Sequence, residues 1–415
     1  MTRLPLRPLD PAARTHDLRV EPGPRLLSAD AGRRHAVPTL DLATLVAWAE
    51  DAGLRGRGGA GFPFAVKLAT AGRGRRPVVV VNAAEGEPAS AKDAVLLARD
   101  PHLVLDGAEV AARALGAREV HVVLPGDRPA TAAVAAAAVA ARTGPRWRTS
   151  TAAPRFVSGQ STAVVQLLSG RPGLPVTAWA PDAVSGLRGR PTLLSNAETW
   201  AQLAVLARSG PEAYRALGTP DEPGTTLLSV VGAEGTTVVE AEHGTPFPQV
   251  LGAGEAPTEG VEAPLLLGGF HGTWLAPDQV ARARVSRVDG TPLGAGVVLV
   301  QRPGRCPLAL TAGIVEHLAG QSARRCGPCV HGLPALADAV VGMLHGREGA
   351  RQRAEALAGL LPGRGACAHP DGTARLVRSL LLALPREIEA HERGGCSAAA
   401  PAVSPGRPSL RGVAS

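Results

Sequence analysis

The sequence predicts an α/β protein in three parts: a domain built on a largely parallel sheet, a short β-rich region and a C-terminal helical bundle. Three observations carry this reading. Between residues 64 and 142, apolar segments with helical spacing alternate with β-branched runs, the order that lays helices over a parallel sheet. From 222 to 300, short β runs are separated by glycine turns, as in TTLLSVVGAEGTTVVEAEHG. From 306 to 393 the chain turns helical, with segments at 307–318, 333–344, 351–361 and 373–392.

Residues 1–38, rich in proline and arginine, predict an irregular arm, and 40–52 a helix that delivers the chain to a glycine loop, LRGRGGAGFP. Gly56, Gly58, Gly59 and Gly61 free the backbone to take positive φ and bring amides against an anion. A plain surface turn is the other reading of such glycine density. Pro63 suits the first turn of a helix over 64–71, whose free N-terminal amides favour a phosphate. The run VVVV at 78–81 predicts a strand buried on both faces. It ends in NAAEGEP, polar residues at a strand's carboxyl end, where open α/β sheets bind ligands. A helix at 103–115, a strand at 119–124, a helix at 130–142 and a short strand at 155–157 continue the alternation. FVSGQSTAVVQLLSG then opens an amphipathic helix, and SNAETW begins another with Asn196 and Glu198 at its head. The last twenty residues predict a disordered tail.

Composition narrows the function classes. The net charge is +8, yet aromatics are 3% and the arginines are spread along the chain, so the clustered basic face with stacking rings of a nucleic-acid binder is missing. The charge fits either a coding preference for arginine or an acidic protein partner better. No run of eighteen apolar residues exists to span a membrane, and the N-terminus shows no secretion signal. With five cysteines, an odd number, the expectation is a cytoplasmic protein with reduced thiols or metal ligands. Lys67 and Lys92 are the only lysines among 44 basic residues, and both fall in or beside the glycine loop and acidic turn, where a compact ammonium has a use that an arginine fork does not.

LRGRGGAGFP, Lys67, VNAAEGEPASAKD and DPHLVLDG together resemble the NADH- and FMN-binding subunit of respiratory complex I, and related flavin subunits of soluble hydrogenases and formate dehydrogenases. The resemblance covers roughly 40 to 390. It implies a Rossmann-like flavin domain over 39–220, a small β-grasp domain over 221–302 and a helical iron–sulfur domain over 303–395, with 1–38 as arm and 396–415 as tail. It also implies hydride transfer from NADH to FMN and single-electron transfer onward to a 4Fe–4S cluster and a ferredoxin-like or other electron-transfer subunit. Gly56, Gly58, Gly59, Gly61 and Lys67 would hold the flavin, with Asn82 and Asn196 at its phosphate or ring. Phe62, Glu85 and Glu87 would lie on the nicotinamide side, the two glutamates being the catalytic candidates. Gln160, Ser161 and Ala84 stand where the family carries carboxylates, and Ser195 where it carries an asparagine. A nicotinamide must be fixed by hydrogen bonds for hydride transfer, so NADH oxidation is expected to be weak. The alternative is a non-catalytic assembly or ligand-binding module with a decayed NADH site.

Cys326, Cys329 and Cys367 occupy positions of the family's cluster ligands, and thiolates are the soft donors that iron–sulfur chemistry wants. Ala323 replaces the first cysteine of the family triplet. CGPC also reads as a redox dithiol, as part of a zinc site, or as buried inert thiols. Cys306 is expected to be a core residue. Cys396 is expected not to be the fourth ligand, because a helix of about twenty residues separates it from Cys367 by some 30 Å, unless that helix breaks, as at Pro385, and the chain reverses.

Overall fold

The computed structural model describes residues 18–28, 35–253, 263–288, 290, 292–302, 304–396 and 398. The first sheet is wholly parallel. Its strands are β2 (Val78–Asn82), β3 (Glu119–Pro125), β4 (Arg146–Ala152) and β5 (Thr192–Asn196), in spatial order β4-β3-β2-β5. The chain builds outward from β2 to β4 and then returns to the far side of β2 as β5. That reversal makes the gap between β2 and β5 a topological switch point, where open parallel sheets bind ligands beyond the strands' carboxyl ends.

Helices α1 (Leu42–Asp51) and α2 (Phe64–Gly72) precede the sheet; α3 (Lys92–Arg99), α4 (Pro101–Leu115) and α5 (Pro129–Ala140) connect the outward strands. Two short helices, α6 (Ser161–Leu168) and α7 (Asp182–Ser185), lead back to β5, and the long α8 (Ala197–Arg215) follows it. Trp200 on α8 is fully buried, packs edge-on against Phe64 at 5.6 Å between ring centroids, and donates its indole N–H to the carbonyls of Val80 and Ser195.

The second sheet is mixed, in the order β1-β7-β6-β10-β8-β9. Its members are β1 (Leu18–Val20), β6 (Thr225–Gly232), β7 (Gly235–Glu242), β8 (Leu265–Leu267), β9 (Thr273–Leu275) and β10 (Val297–Val300), with α9 (Phe247–Ala253) and α10 (Pro277–Arg282) between strands. One face packs on α9 through Leu228, Val239, Phe247 and Leu251. The other, through Leu266, Phe270 and Trp274, carries the helical part, α11 (Pro307–Gly320), α12 (Leu333–Leu344), α13 (Ala350–Leu360), α14 (His369–Ala383) and α15 (Pro385–Glu392).

Three expectations change. Part of the N-terminal arm is ordered, because β1 pairs in parallel with β7 and the Glu240 carboxylate accepts from the amides of Arg25, Leu26 and Leu27. The strand expected at 155–157 is a 3₁₀ turn, Phe156–Gly159, and the strand lies earlier, at β4. RWRTSTA sits at the sheet edge with mostly exposed residues, so it lacks the apolar run that marks an interior strand. The helix expected over 373–392 is two helices broken at Leu384, with Pro385 in the first turn of α15. The tail beyond 398 and the first seventeen residues of the arm lie outside the described residues.

Candidate functional site: a crevice at the switch point and a three-thiol loop

Asn82 and Asn196 are register partners at the carboxyl ends of β2 and β5, one on each side of the switch point. Asn82 donates to the carbonyl of Gly159 at 2.8 Å and accepts from the amide of Ala84 at 3.2 Å. Asn196 caps α8 by accepting from the Thr199 amide, and its side-chain amide donates to Asp93 at 3.2 Å. The glycine loop closes over this gap. A bridge between Arg55 and Pro63, with Gly56 N–H donating to Phe62 O at 2.9 Å, makes it a small hairpin. Arg57, buried within, donates its amide to Thr199 Oγ1 at 2.9 Å and so ties the loop to the head of α8. Gly58 faces Asn196, whose Cβ would stand 3.5 Å from any Cβ added there, and Gly59 takes φ 108°, a left-handed value that an L side chain resists.

Lys67 points the same way from α2. Its half-buried ammonium donates to Leu194 O, two residues before Asn196, at 2.9 Å. Among the described residues no carboxylate lies within ion-pair distance of it. Burial lowers its pKa and Asp182 on α7 acts in the opposite sense. Burial raises the pKa of Asp182 itself, with Ser161 and the Lys67 charge acting in the opposite sense. Sequence reasoning misses Asp182, because only the return of the chain through α7 brings it beside Lys67 and Ser161.

Beneath the crevice lies a buried ionic cluster. Lys92 Nζ contacts Asp93 at 2.7 Å and Glu198 at 2.8 Å, and Arg57 Nε lies 3.6 Å from Glu198. Burial works against the Lys92 ammonium, but Asp93, Glu198 and Glu85 outweigh it and raise its pKa. Lys92 is thus a permanent cation under the site and does not enter the crevice.

The acidic turn is anchored to backbone. Glu85 accepts from Ser90 Oγ and from the amides of Asp93 and Ala94 at the start of α3, and pairs with Arg128 at 3.1 Å. Glu87 accepts from Ala89 N at 3.3 Å and, across to the second sheet, from Phe270 N at 2.9 Å. Both glutamates are thus engaged by groups that brace the acidic turn following β2, while Phe62 is half exposed at the loop tip. A neighbouring cavity of about 750 Å³, lined by Ala84, Glu85, Phe156, His317 and Gln321, opens on the other side of this turn, and the glycine loop does not contribute to it.

The second half of the site is the loop preceding α12. Pro328–Gly332 forms one π-helical turn that runs into α12 and carries Cys329, with Cys326 just before it. Their sulfurs are 3.5 Å apart, and Cys367, at the head of α14, is close enough for its charge to act on Cys329. Arg324, two residues before Cys326, takes φ 53°, a strained value for a side chain with a Cβ. Burial pushes Cys329 up to about 11 and raises Cys367. Against the same effect of burial, the amides of Ala366 and Cys329 hold Cys326 below the usual thiol range. Ala323 is buried, and Cys396 stands elsewhere, beside Cys306 and Glu387.

Phe156 and two histidines join the two halves. The Phe156 ring lies 4.6 Å from that of His271 and 5.4 Å from that of His369, and His271 Nε2 is 3.1 Å from His369 Nδ1. Phe156 stands three residues before Gly159, the partner of Asn82, and His369 two residues after Cys367.

Two family profiles match the two halves: the Nuo51 FMN-binding domain over 49–205 and the NADH-ubiquinone oxidoreductase-F iron-sulfur binding region over 309–391. The chain belongs to the family of NADH–quinone oxidoreductase F subunits. It is 29% identical over 378 residues to the NADH-quinone oxidoreductase F subunit of Streptomyces coelicolor, covering 85% of this chain and 84% of that one. It is 33% identical over 219 residues to the alpha subunit of the NAD-reducing hydrogenase HoxS of Cupriavidus necator, covering 48% of this chain and 36% of that one. The H2-reduced NAD+-reducing [NiFe]-hydrogenase superimposes with a TM-score of 0.77 at 28% identity, over 85% of this chain and 63% of that chain's length. No helix among the described residues is long and apolar enough to cross a membrane.

The residues present fit the two cofactors that this family implies. Against FMN stand a cradle of glycines, a half-buried ammonium that no carboxylate among the described residues approaches within ion-pair distance, and two asparagines at a switch point; against an iron–sulfur cluster stand the close Cys326–Cys329 pair and Cys367, near enough for its charge to act on Cys329.

Proposed function

We propose that this chain is the electron-entry subunit of an oxidoreductase complex, passing electrons from NADH or another two-electron donor through FMN to an iron–sulfur cluster and on to a partner protein. The observation that carries the reading is that one chain places the glycine loop with its two asparagines and the Cys326–Cys329–Cys367 thiols at the two ends of the Phe156–His271–His369 contact.

When bound, FMN converts an electron pair into single electrons, and a cluster carries them one at a time. The chain's own work is to bind and orient. Gly56, Gly58, Gly59 and Gly61 would let amides approach the phosphate, Lys67 would neutralise it, and Asn82 and Asn196 would fix the ring edge. Glu85 and Glu87 hold the acidic turn, and the exposed Phe62 offers an apolar face to the donor. Cys326, Cys329 and Cys367 would ligate the cluster through sulfur, with no fourth cysteine near them among the described residues. Arg324 and Arg325, both exposed beside Cys326, give the exit a basic rim that favours an acidic electron-transfer partner of the ferredoxin kind.

Anaerobic purification followed by flavin, iron and sulfide analysis tests the reading. Flavin near one per chain with iron and sulfide is the expected result. A colourless protein that takes up neither flavin nor iron on reconstitution would instead make it a non-catalytic assembly or ligand-binding subunit.

A further inference from the structure

The two cysteines outside the cluster loop meet at a different place in the helical part. Cys306 is the N-cap of α11, where its sulfur accepts from the Ala309 amide at 3.3 Å. Cys396 follows α15. Between them stand Glu387 and His391, four residues apart on α15 and therefore on one face of it. Cys306 Sγ lies 3.3 Å from both Glu387 Oε1 and His391 Nε2, His391 Nε2 lies 3.1 Å from Glu387 Oε1, and Cys396 Sγ lies 3.5 Å from the same oxygen. All four donor atoms fall within 4.8 Å of one another, and among the described residues no other group of three or more such donors is so tightly drawn.

That spacing has a chemical meaning. Zinc takes sulfur at about 2.3 Å and nitrogen or oxygen at about 2.0–2.2 Å, so a tetrahedron of donors around it has edges of roughly 3.3–3.8 Å. The four separations given above, 3.1–3.5 Å, fall in or just below that interval, and the remaining two lie within 4.8 Å. The imidazole is also held as a ligand should be. His391 Nδ1 lies 2.8 Å from the carbonyl of Leu344, which can only accept, so Nδ1 carries the proton and Nε2 turns its lone pair to the other three groups. A carbonyl in this place is the usual outer-shell partner of a metal-bound histidine. A cleft of about 600 Å³ reaches Glu387 from solvent and gives an ion its way in.

We propose that Cys306, Glu387, His391 and Cys396 form a zinc site, distinct from the cluster loop, that staples the start of α11 to the end of α15. Zinc binding breaks two S–H bonds, releases the two protons and forms two Zn–S bonds, while a carboxylate oxygen and imidazole Nε2 complete the coordination; nothing is oxidised or reduced. The loaded site carries one net negative charge, and Arg302, Arg305 and Arg386 line the same cleft to balance it. With four protein ligands and no open position, the site is structural. It also explains the break at Pro385: ending α14 there lets α15 turn its Glu–His face, and Cys396 after it, back to Cys306.

The test uses the full-length chain in which Cys326, Cys329 and Cys367 are all serine, so that no cluster thiol competes. Stripped of metal and kept reduced, it should bind one Zn²⁺ with submicromolar affinity, and Co²⁺ should give the visible bands of a tetrahedral thiolate site. Adding Cys306→Ser and Cys396→Ser should weaken zinc binding at least ~100-fold, and Glu387→Gln or His391→Gln alone about 10-fold or more, with the circular dichroism unchanged. In the metal-stripped native chain, the part of the Co²⁺ spectrum that disappears when only Cys306 and Cys396 are changed should match the bands of the triple variant, which guards against misfolding of the multiple variant. No zinc uptake by the reduced chain, uptake that survives loss of both cysteines, or a Cys306–Cys396 disulfide in protein prepared under reducing conditions would each overturn the proposal.

Discussion

Lys67 carries the most direct prediction at the scale of a residue. Its ammonium has a carbonyl for a partner, and burial already lowers its pKa, so an anion in the crevice would meet a cation with little else to satisfy it. A hydrogen bond to a charged group is worth about 1.5–3 kcal/mol, so Lys67→Met should weaken FMN binding by roughly 10- to 150-fold. Titrating FMN into the apoprotein and following flavin fluorescence reads this directly; unchanged affinity would reduce Lys67 to a strand anchor. Cys326 makes a second case. Amide donors hold its thiol below the usual range while burial raises Cys329 and Cys367. In the apoprotein, near neutral pH, iodoacetamide should therefore label Cys326 first, and peptide mapping that found Cys329 first would contradict it. Lys67 was legible in the sequence because arginine is otherwise used almost everywhere. Asp182 and the His271–His369 pair were not, since each contact joins segments far apart in the chain, and no local pattern encodes it. Glu85 and Glu87 were visible as an acidic turn, but not the amides that engage them, because those belong to α3 and the second sheet.

At the scale of elements, the parallel alternation was readable wherever a strand is interior and therefore apolar. It was misplaced at β4, whose edge position lets it be polar. The break at Pro385 was readable as a condition for bringing Cys396 back, yet the periodicity of 373–392 runs through it unmarked. Helix packing hides a further constraint. Gly107 on α4 lies so close to α8 that an added Cβ would stand 1.8 Å from the Trp200 carbonyl oxygen. No rotamer relieves a backbone clash, so the helices must part. Gly107→Ala should destabilise the protein by about 2–4 kcal/mol, at or above the usual range for overpacking, and lower the melting temperature accordingly. The gain in helix propensity, about 1 kcal/mol, is too small to offset this. A melting temperature equal to the native one would mean that α4 and α8 are not in the contact described.

For the whole molecule, the buried histidines decide how stability responds to acid. His243 is buried, with Nδ1 3.3 Å from the Pro223 carbonyl, and burial together with the charges of Arg57 and Arg287 holds its pKa well below the ordinary value. His271 is depressed by its own burial and by His369 and Arg375. Both stay neutral in the folded chain at neutral pH, whereas in the unfolded chain they titrate near 6.5. Below that pH the unfolded state binds more protons than the folded one, so their contribution is complete above about pH 6.5 and is lost progressively as pH falls toward the depressed folded values. Each such histidine can remove up to ~1.4 kcal/mol per pH unit. His243 is the one to change, since its hydrogen-bond partner is the Pro223 carbonyl and not one of the asparagines, Lys67 or the thiols. Urea midpoints for the native chain should fall between pH 7 and pH 5.5, and His243→Gln, whatever its stability at pH 7, should fall less steeply by as much as that amount per unit. Parallel slopes for the two proteins would show that His243 titrates alike in the folded and unfolded chains, and would place the acid sensitivity in the His271–His369 contact instead.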